Sequence, residues 1–355
     1  MKKDLYRQLQ EKLDGYAVGF PATESGVEIE ILKKLFSEED AEIFLNLTPS
    51  VEKPQDIAAR LNLPEKELSE KLEDMASRGL LFRLKRNSEA KYGATAFIHG
   101  IFEFQLPRID QELSTLMERY LDEGLDKSMI NVKGTFLRTI PIAKSIAPEH
   151  HIASLDDAAA ILRQATKIVL ADCICRKSKN LTGDSCKAPL EVCFLFGSMG
   201  QYYLDNQMGR EIDTEEAIKI VAKAQEAGLV TQPATSANPT GMCNCCGDCC
   251  GVLASIKRAP SPADLVYSNN FATVDSDQCT WCGECAESCH MAAIEIAEDG
   301  PANILENRCI GCGVCVPRCP SEAITLKEKP AHKRQPLPQN SLEQMMQMQI
   351  VRSQP

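Results

Sequence analysis

The sequence predicts an α+β protein of several domains, and three observations lead there. Apolar residues recur at helical spacing through the first quarter of the 355-residue chain, then give way to two short strand-like runs. All 17 cysteines lie between Cys173 and Cys319. Eight of them fall in two copies of C-x2-C-x2-C-x3-C, the second 30 residues after the first. At about 150 residues per domain the length itself suggests two or three domains. The expected layout is a helical unit ending in a two-stranded ribbon over 1–98 and a mixed helical, cysteine-rich middle domain over 99–258. A small cysteine-repeat domain follows over 270–328, then an extended tail over 329–355.

Composition narrows the class. With 44% apolar and 25% charged residues, the chain is neither collagen-like, nor a coiled coil, nor wholly disordered. A net charge of −11 does not suit a general nucleic-acid binder, whose phosphate contacts need clustered Lys and Arg. Residues 1–15 are charged and lack the apolar stretch of a secretion signal, and no apolar run reaches the length of a membrane span. A cytoplasmic protein without a membrane span is expected. In a reducing compartment, closely spaced cysteines point to metal ligation rather than disulfides, and an odd total excludes complete pairing.

In chain order, residues 1–25 read as a short helix and a loop around Pro21. Val27, Ile31 and Leu35 mark a second helix. Ser37 can cap a third, with Glu38, Glu39 and Asp40 in its first turn, where acids suit the helix dipole. Helices follow over 54–61 and 64–78, the latter started by Pro64 and ended by Gly79. Strands are expected over 80–86 and 92–97. This order, carried by KPQDIAARLNLPEKELSEKLEDMASRGLLFR, resembles a winged helix-turn-helix module over about 24–98. In that superfamily the third helix would read DNA. Here it carries Glu65, Glu67, Glu70, Glu73 and Asp74 against Lys66, Lys71 and Arg78, an unfavourable face beside phosphates. The ribbon is basic, with Arg83, Lys85, Arg86 and Lys91. Protein contact or dimerisation through this winged-helix-like domain is therefore expected ahead of nucleic-acid binding.

The middle of the chain shows helical patterns over 113–121, 155–165 and 211–227, the last closed by Gly228. A strand is expected at 167–171, and loops around His150 and His151 and over 231–242. Residues 259–270 read as a linker. Within the tail, 341–351 can form a short Met-rich helix of the kind that packs adaptably on a surface.

The chemistry sits in the repeats C-T-W-C-G-E-C-A-E-S-C-H (279–290) and C-I-G-C-G-V-C-V-P-R-C-P (309–320). Over about 270–328 they resemble the bacterial ferredoxin with two [4Fe-4S] clusters, so a ferredoxin-like dicluster domain is expected. Three cysteines at x2 intervals wrap a turn that Gly283, Gly311 and Gly313 permit, and the fourth ligand comes from the other repeat. That gives Cys279, Cys282, Cys285 and Cys319 for the first cluster, and Cys309, Cys312, Cys315 and Cys289 for the second. Eight thiolates on two zinc ions fit less well, because zinc knuckles pair across a longer gap. The first repeat departs from the pattern at His290, where Pro320 stands in the second. That change would either tune solvent access and hydrogen bonding or be neutral. Trp281, between two ligands, would shield a cluster.

The other cysteines are Cys173, Cys175, Cys186 and Cys193, then Cys243, Cys245, Cys246, Cys249 and Cys250 in G-M-C-N-C-C-G-D-C-C-G. Five cysteines in eight residues need a metal or redox role. A further [4Fe-4S] cluster is the expected occupant, with a zinc site or a redox dithiol as alternatives. The two groups are expected to meet in space around the 211–227 helix. Arg176, Lys177 and Lys179 can offset thiolate charge, although a solvated loop is the plainer reading. No nucleotide-binding fingerprint is present; GSMG at 197–200 is a poor match to a phosphate loop.

The function expected is that of an iron–sulfur electron-transfer protein, a subunit or adaptor relaying single electrons between a donor and a partner oxidoreductase. Its acidic surface would steer a basic redox partner. One alternative is a redox-responsive winged-helix regulator. The other is a reductase whose catalytic middle domain is fed by the ferredoxin domain.

Overall fold

The computed structural model describes residues 4–352 apart from 88, 134–135, 146–155, 184–185, 299 and 335. His150 and His151 lie outside the described residues.

The N-terminal unit places α1 (Leu5–Asp14), α2 (Val27–Leu35), α3 (Glu38–Leu45), α4 (Pro54–Leu61) and α5 (Glu65–Ser77) ahead of a ribbon, β1 (Phe82–Arg86) and β2 (Glu89–Gly93). Ser37 and Asp40 cap α3 reciprocally: the Asp40 N–H donates to Ser37 Oγ at 3.1 Å, and the Ser37 N–H to Asp40 Oδ2 at 2.9 Å. Asn62, at φ 55°, makes the sharp bend between α4 and α5. The second strand spans Glu89–Gly93, not 92–97 as the alternation suggests. Asn87, at φ 48°, sits in a two-residue loop that pairs Arg86 with Glu89, so the return strand begins and ends early. Phe97 turns into the core instead and packs against Phe20, ring centroids 4.2 Å apart and planes tilted by 41°. Helices α6 (Gln111–Tyr120) and α7 (Asp126–Asn131) complete this part.

The middle region combines helices with a five-stranded sheet, of which the patterns suggest only the strand at 167–171. Its elements are α8 (Ala158–Gln164), β3 (Ile168–Asp172), α9 (Ile174–Thr182), β4 (Glu191–Phe196), α10 (Gly197–Asp205), β5 (Arg210–Ile212), α11 (Thr214–Glu226), β6 (Val230–Pro233), β7 (Gly241–Cys245) and α12 (Gly251–Arg258). The strands form a five-stranded sheet in the order β5-β3-β4-β7-β6, every neighbour antiparallel. Period-two alternation sorts β3 between two cores. Ile168 and Leu170 pack with Phe194, Phe196 and Val221, while Val169 and Ala171 join Tyr202, Tyr203 and the N-terminal core.

The loop expected at 231–242 is confined to 234–240; strands β6 and β7 take its two ends, where Thr231 and Asn244 are buried against each other. Gln225 Nε2 donates to Thr231 Oγ1 at 3.1 Å, Thr231 Oγ1 to Asn244 Oδ1 at 3.0 Å, and Asn244 Nδ2 to the Val192 carbonyl at 3.0 Å. Such a satisfied network occupies a sheet interior as readily as apolar side chains do.

The last region holds β8 (Asn270–Val274), α13 (Glu284–Glu287), β9 (Ile294–Ile296), β10 (Ala302–Ile304) and β11 (Ile324–Glu328). The tail is not extended throughout. It ends in α14 (Ser341–Arg352), which returns to the N-terminal unit, with Met348 buried, Gln344 Nε2 on the Phe136 carbonyl at 2.6 Å and Arg352 paired with Asp14 at 3.0 Å. Among the described residues no helix is long and apolar enough to cross a membrane.

Candidate metal centres

The cysteine repeat builds a local two-fold. In ribbon β8–β11 Ala272 pairs with Leu326, and in ribbon β9–β10 Ala302 pairs with Ile296, the same positions one repeat apart. The loop backbones match as well: φ is 59° at Trp281 and 68° at Gly311, 82° at Gly283 and 75° at Gly313, and 48° at Ala292 and 53° at Glu322. Glycine is required at 311, where an added Cβ would lie 2.2 Å from the Asn270 carbonyl oxygen.

Amides reach the sulfurs with the same symmetry. The Ala293 N–H points at Cys289 Sγ (3.3 Å) and that of Ala323 at Cys319 Sγ (3.2 Å). Across the two-fold, the N–H groups of Ala272 and Ala302 reach Cys309 and Cys279, each at 3.4 Å. A cavity of about 20 Å³ is walled by Cys289, Cys309, Cys312 and Cys315 together, one cysteine from the first repeat and three from the second. Burial pushes the Cys312 thiol up to about 12 and raises Cys309 and Cys315 too. Lone thiolates are disfavoured there, and a bound cation would be needed to hold them ionised. Around the other repeat Cys282 is exposed, and Trp281, 50% exposed, faces water more than it shields.

His290 joins this domain to the middle one. Its Nδ1 accepts the Gly247 N–H at 3.2 Å, which leaves the ring proton on Nε2, donated to the Gly228 carbonyl at 2.7 Å. Pro at this position would make neither bond. A Cβ on Gly247 would stand 3.0 Å from Nδ1, so the glycine allows the approach.

In the middle region, sheet and helix ends aim the other cysteines inward. Cys173 and Cys250 cap α9 and α12, Cys193 lies on β4, and Cys243 and Cys245 share a face of β7. Thiol contacts link Cys175 to Cys173, Cys173 to Cys193, Cys193 to Cys243, Cys243 to Cys245 and Cys245 to Cys250. Cys186, Cys246 and Cys249 form a separate group whose Sγ atoms lie within 4.8 Å of one another. Hydrogen bonding from the Cys249 thiol, helped by the Arg176 charge, lowers Cys246 to about 5.

Arg176 does not lie on a solvated loop. It is 1% exposed in α9, donates to the carbonyls of Pro189 and Asn244 at 2.7 Å each, and faces the thiols of Cys173 and Cys246. Lys177 and Lys179 turn away, to the Leu106 carbonyl at 2.9 Å and to Glu118 at 2.8 Å.

A cavity of about 130 Å³ opens beside these sulfurs, lined on its far side by Phe102, Met117, Leu121 and Met129 and by His99 and Glu103. His99 sits in left-handed backbone at φ 56°. Burial opposes its charge, but the Cys243 sulfur and Glu103 outweigh that and raise its pKa. Burial pushes Glu103 up as well, although its carboxylate accepts the Gly100 N–H at 3.0 Å. Neither residue carries a sequence signal, since single His and Glu residues far from the cysteines have no motif to mark them.

The family described as the 4Fe-4S dicluster domain matches residues 272–326. No curated protein and no solved structure matches the chain. The C-terminal segment is a ferredoxin-type dicluster domain and carries two [4Fe-4S] clusters. The donor set fits them: eight cysteines, amide donors to four of the sulfurs, and a pocket walled by four thiols. The cysteines of the middle region are compatible with a further cluster.

Proposed function

We propose that this is an electron-transfer protein in which the dicluster domain passes single electrons between an outside redox partner and the cysteine-rich centre of the middle region. One observation carries the reading. Cys245 and Cys250 of the middle centre pack in one hydrophobic core with Cys289, Cys309 and Cys312 of the dicluster domain, and His290 clamps the two together.

The ligand sets are Cys279, Cys282, Cys285 and Cys319 for the outer cluster and Cys309, Cys312, Cys315 and Cys289 for the inner one. The shared cavity and the crossed amide-to-sulfur bonds support this assignment. Bound clusters supply reversible one-electron chemistry. The chain fixes the sulfurs, directs amides at them and buries the inner set. The outer set meets solvent at Cys282 and Trp281, beside Asp275, Asp277, Glu284 and Glu287, an acidic rim that suits a basic partner. A further [4Fe-4S] cluster would occupy the group of six contacting thiols, which offers more ligands than one cubane uses.

The N-terminal unit has the element order of a winged helix, and its contacts favour a protein-binding role. Arg83 of the ribbon is 3% exposed, bound to Glu73 at 2.7 Å and to Asn206, just past the end of α10, at 3.3 Å, and Lys85 also reaches Glu73, at 3.2 Å. Those charges are committed within the chain. DNA retention abolished by Lys85→Ala with Arg86→Ala would overturn this assignment. A second reading, a reductase acting in the middle region, is favoured by one observation: the cavity that brings His99 and Glu103 against the sulfurs.

The relay is tested by electron paramagnetic resonance on the anaerobically purified full chain, reduced with less than one electron equivalent and sampled over time. Signal moving from the dicluster to the middle centre at a rate independent of protein concentration is expected. Transfer that scales with protein concentration would overturn the relay.

A further inference from the structure

Of the nine cysteines outside the dicluster repeats, six form a chain of contacts, and the other three close to a compact triangle that packs beside Cys173 in the same core. The Sγ atoms of Cys186 and Cys246 are 3.8 Å apart, and Cys249 lies within 4.8 Å of both. A thiolate binds zinc at about 2.3 Å, which puts neighbouring sulfurs of a tetrahedral site roughly 3.8 Å apart. In a cubane each thiolate sits on its own iron, so its sulfurs ring the cluster instead of closing to a triangle about one point. The dicluster domain supplies the comparison within this chain. Its cysteines meet around a cavity, and none of their sets closes to such a triangle; among the described residues Cys186, Cys246 and Cys249 alone do so.

We infer that Cys186, Cys246 and Cys249 hold a single thiophilic divalent ion, zinc by chemical class, at a site separate from the iron–sulfur clusters and with its fourth position open. This goes beyond the relay proposed above and does not depend on it. Two segments far apart in the chain bring the ligands together: the loop after α9 gives Cys186, and the turn between β7 and α12 gives Cys246 and Cys249. The Cys186 N–H is fixed on Asn180 Oδ1 at 3.0 Å, and the turn is pinned at Gly247 by His290.

The charges balance. Three thiolates and a divalent ion leave one negative charge, and the guanidinium of Arg176 faces Cys246 from the buried side. No fourth cysteine joins the triangle, and Cys186 and Cys249 are only partly buried. Water or an external thiolate would therefore complete the coordination, the arrangement of a reactive rather than a purely structural zinc. Softer thiolate ligands without histidine or carboxylate favour zinc over manganese, magnesium or calcium.

The test is zinc and iron analysis, with zinc X-ray absorption, on the full chain purified anaerobically. About one zinc per chain is expected, with three sulfurs at about 2.3 Å and one lighter neighbour. Cys186→Ser and Cys249→Ser should each lose that zinc and leave the iron content and the dicluster resonance signal unchanged. Absence of zinc from the unaltered chain would overturn the site, and so would a reversible Cys246–Cys249 disulfide found by thiol counting. Zinc retained in both variants, or iron lost from Cys186→Ser, would do the same. The absorption spectrum of the unaltered chain decides the matter even if the variants fail to fold. The relay stands or falls separately, on the resonance experiment.

Discussion

Trp281 and Gly311 occupy equivalent places in the two repeats and both have left-handed backbone, but only one is a glycine. The difference lies in what faces them: the β8 backbone crowds Gly311, while Trp281 projects into water. Gly311→Ala is expected to cost the inner cluster and lower the iron content on anaerobic assay. Trp281→Gly should keep all the iron and raise thermal stability, since a non-glycine residue in that backbone region costs about 1–2 kcal/mol. His290 poses a related question. His290→Pro restores the repeat pattern and should leave the dicluster iron intact. It should also expose the Gly247 amide to hydrogen exchange and slow electron arrival at the middle centre, because the clamp between the two regions is lost. The dicluster domain was legible in the sequence because its cysteines recur at a fixed local spacing. His290 stood out only as a departure from its repeat. Its two partners, Gly228 and Gly247, lie in another region and no local pattern links them to it.

At the scale of elements, α10 docks the N-terminal unit onto the middle sheet. Tyr202 Oη shares its one proton between the carbonyls of Ala76 and Leu81, at 2.9 and 3.0 Å, at the junction of α5 and β1. Tyr202→Phe leaves buried carbonyls without that donor and should lower unfolding free energy by about 1–2 kcal/mol in a denaturant titration. The start of α3 carries a pH dependence. Burial opposes ionisation of Asp40, but its bonds from Arg78 and Ser37 outweigh that and lower its pKa below the ordinary 3.8. Its contribution is therefore complete above the ordinary aspartate range and is lost as pH falls through 3.8 toward the depressed folded value. Asp40→Asn should flatten that part of the acid-unfolding curve. The helices here were readable from their apolar stripes, and at α3 from the Ser37 cap as well. Strands β6 and β7 were not, since Thr231 and Asn244 are polar, fully buried and hydrogen-bonded to each other. A rule that seeks apolar alternation passes over a sheet interior held by hydrogen bonds.

Across the whole molecule, the sulfur sites form a gradient of burial. The outermost is marked by exposed Cys282, the next is walled by Cys289, Cys309, Cys312 and Cys315, and beyond it lies the chain of contacting thiols from Cys250 to Cys175. The N-terminal core and the middle sheet are continuous through Val169, Tyr202 and Tyr203, so the domain boundaries near 98 and 258 separate sequence patterns more clearly than they separate cores. That continuity comes from long-range packing, which short-range periodicity does not report. The most direct measurement is the iron and acid-labile sulfide content of the anaerobically purified full chain. The dicluster domain alone accounts for about eight irons, and a metal-bearing middle centre fed by it requires about twelve or more. A content of twelve or more, reduced in full by electrons delivered to the dicluster domain, is expected. Eight irons, with the six contacting thiols all free, would contradict it.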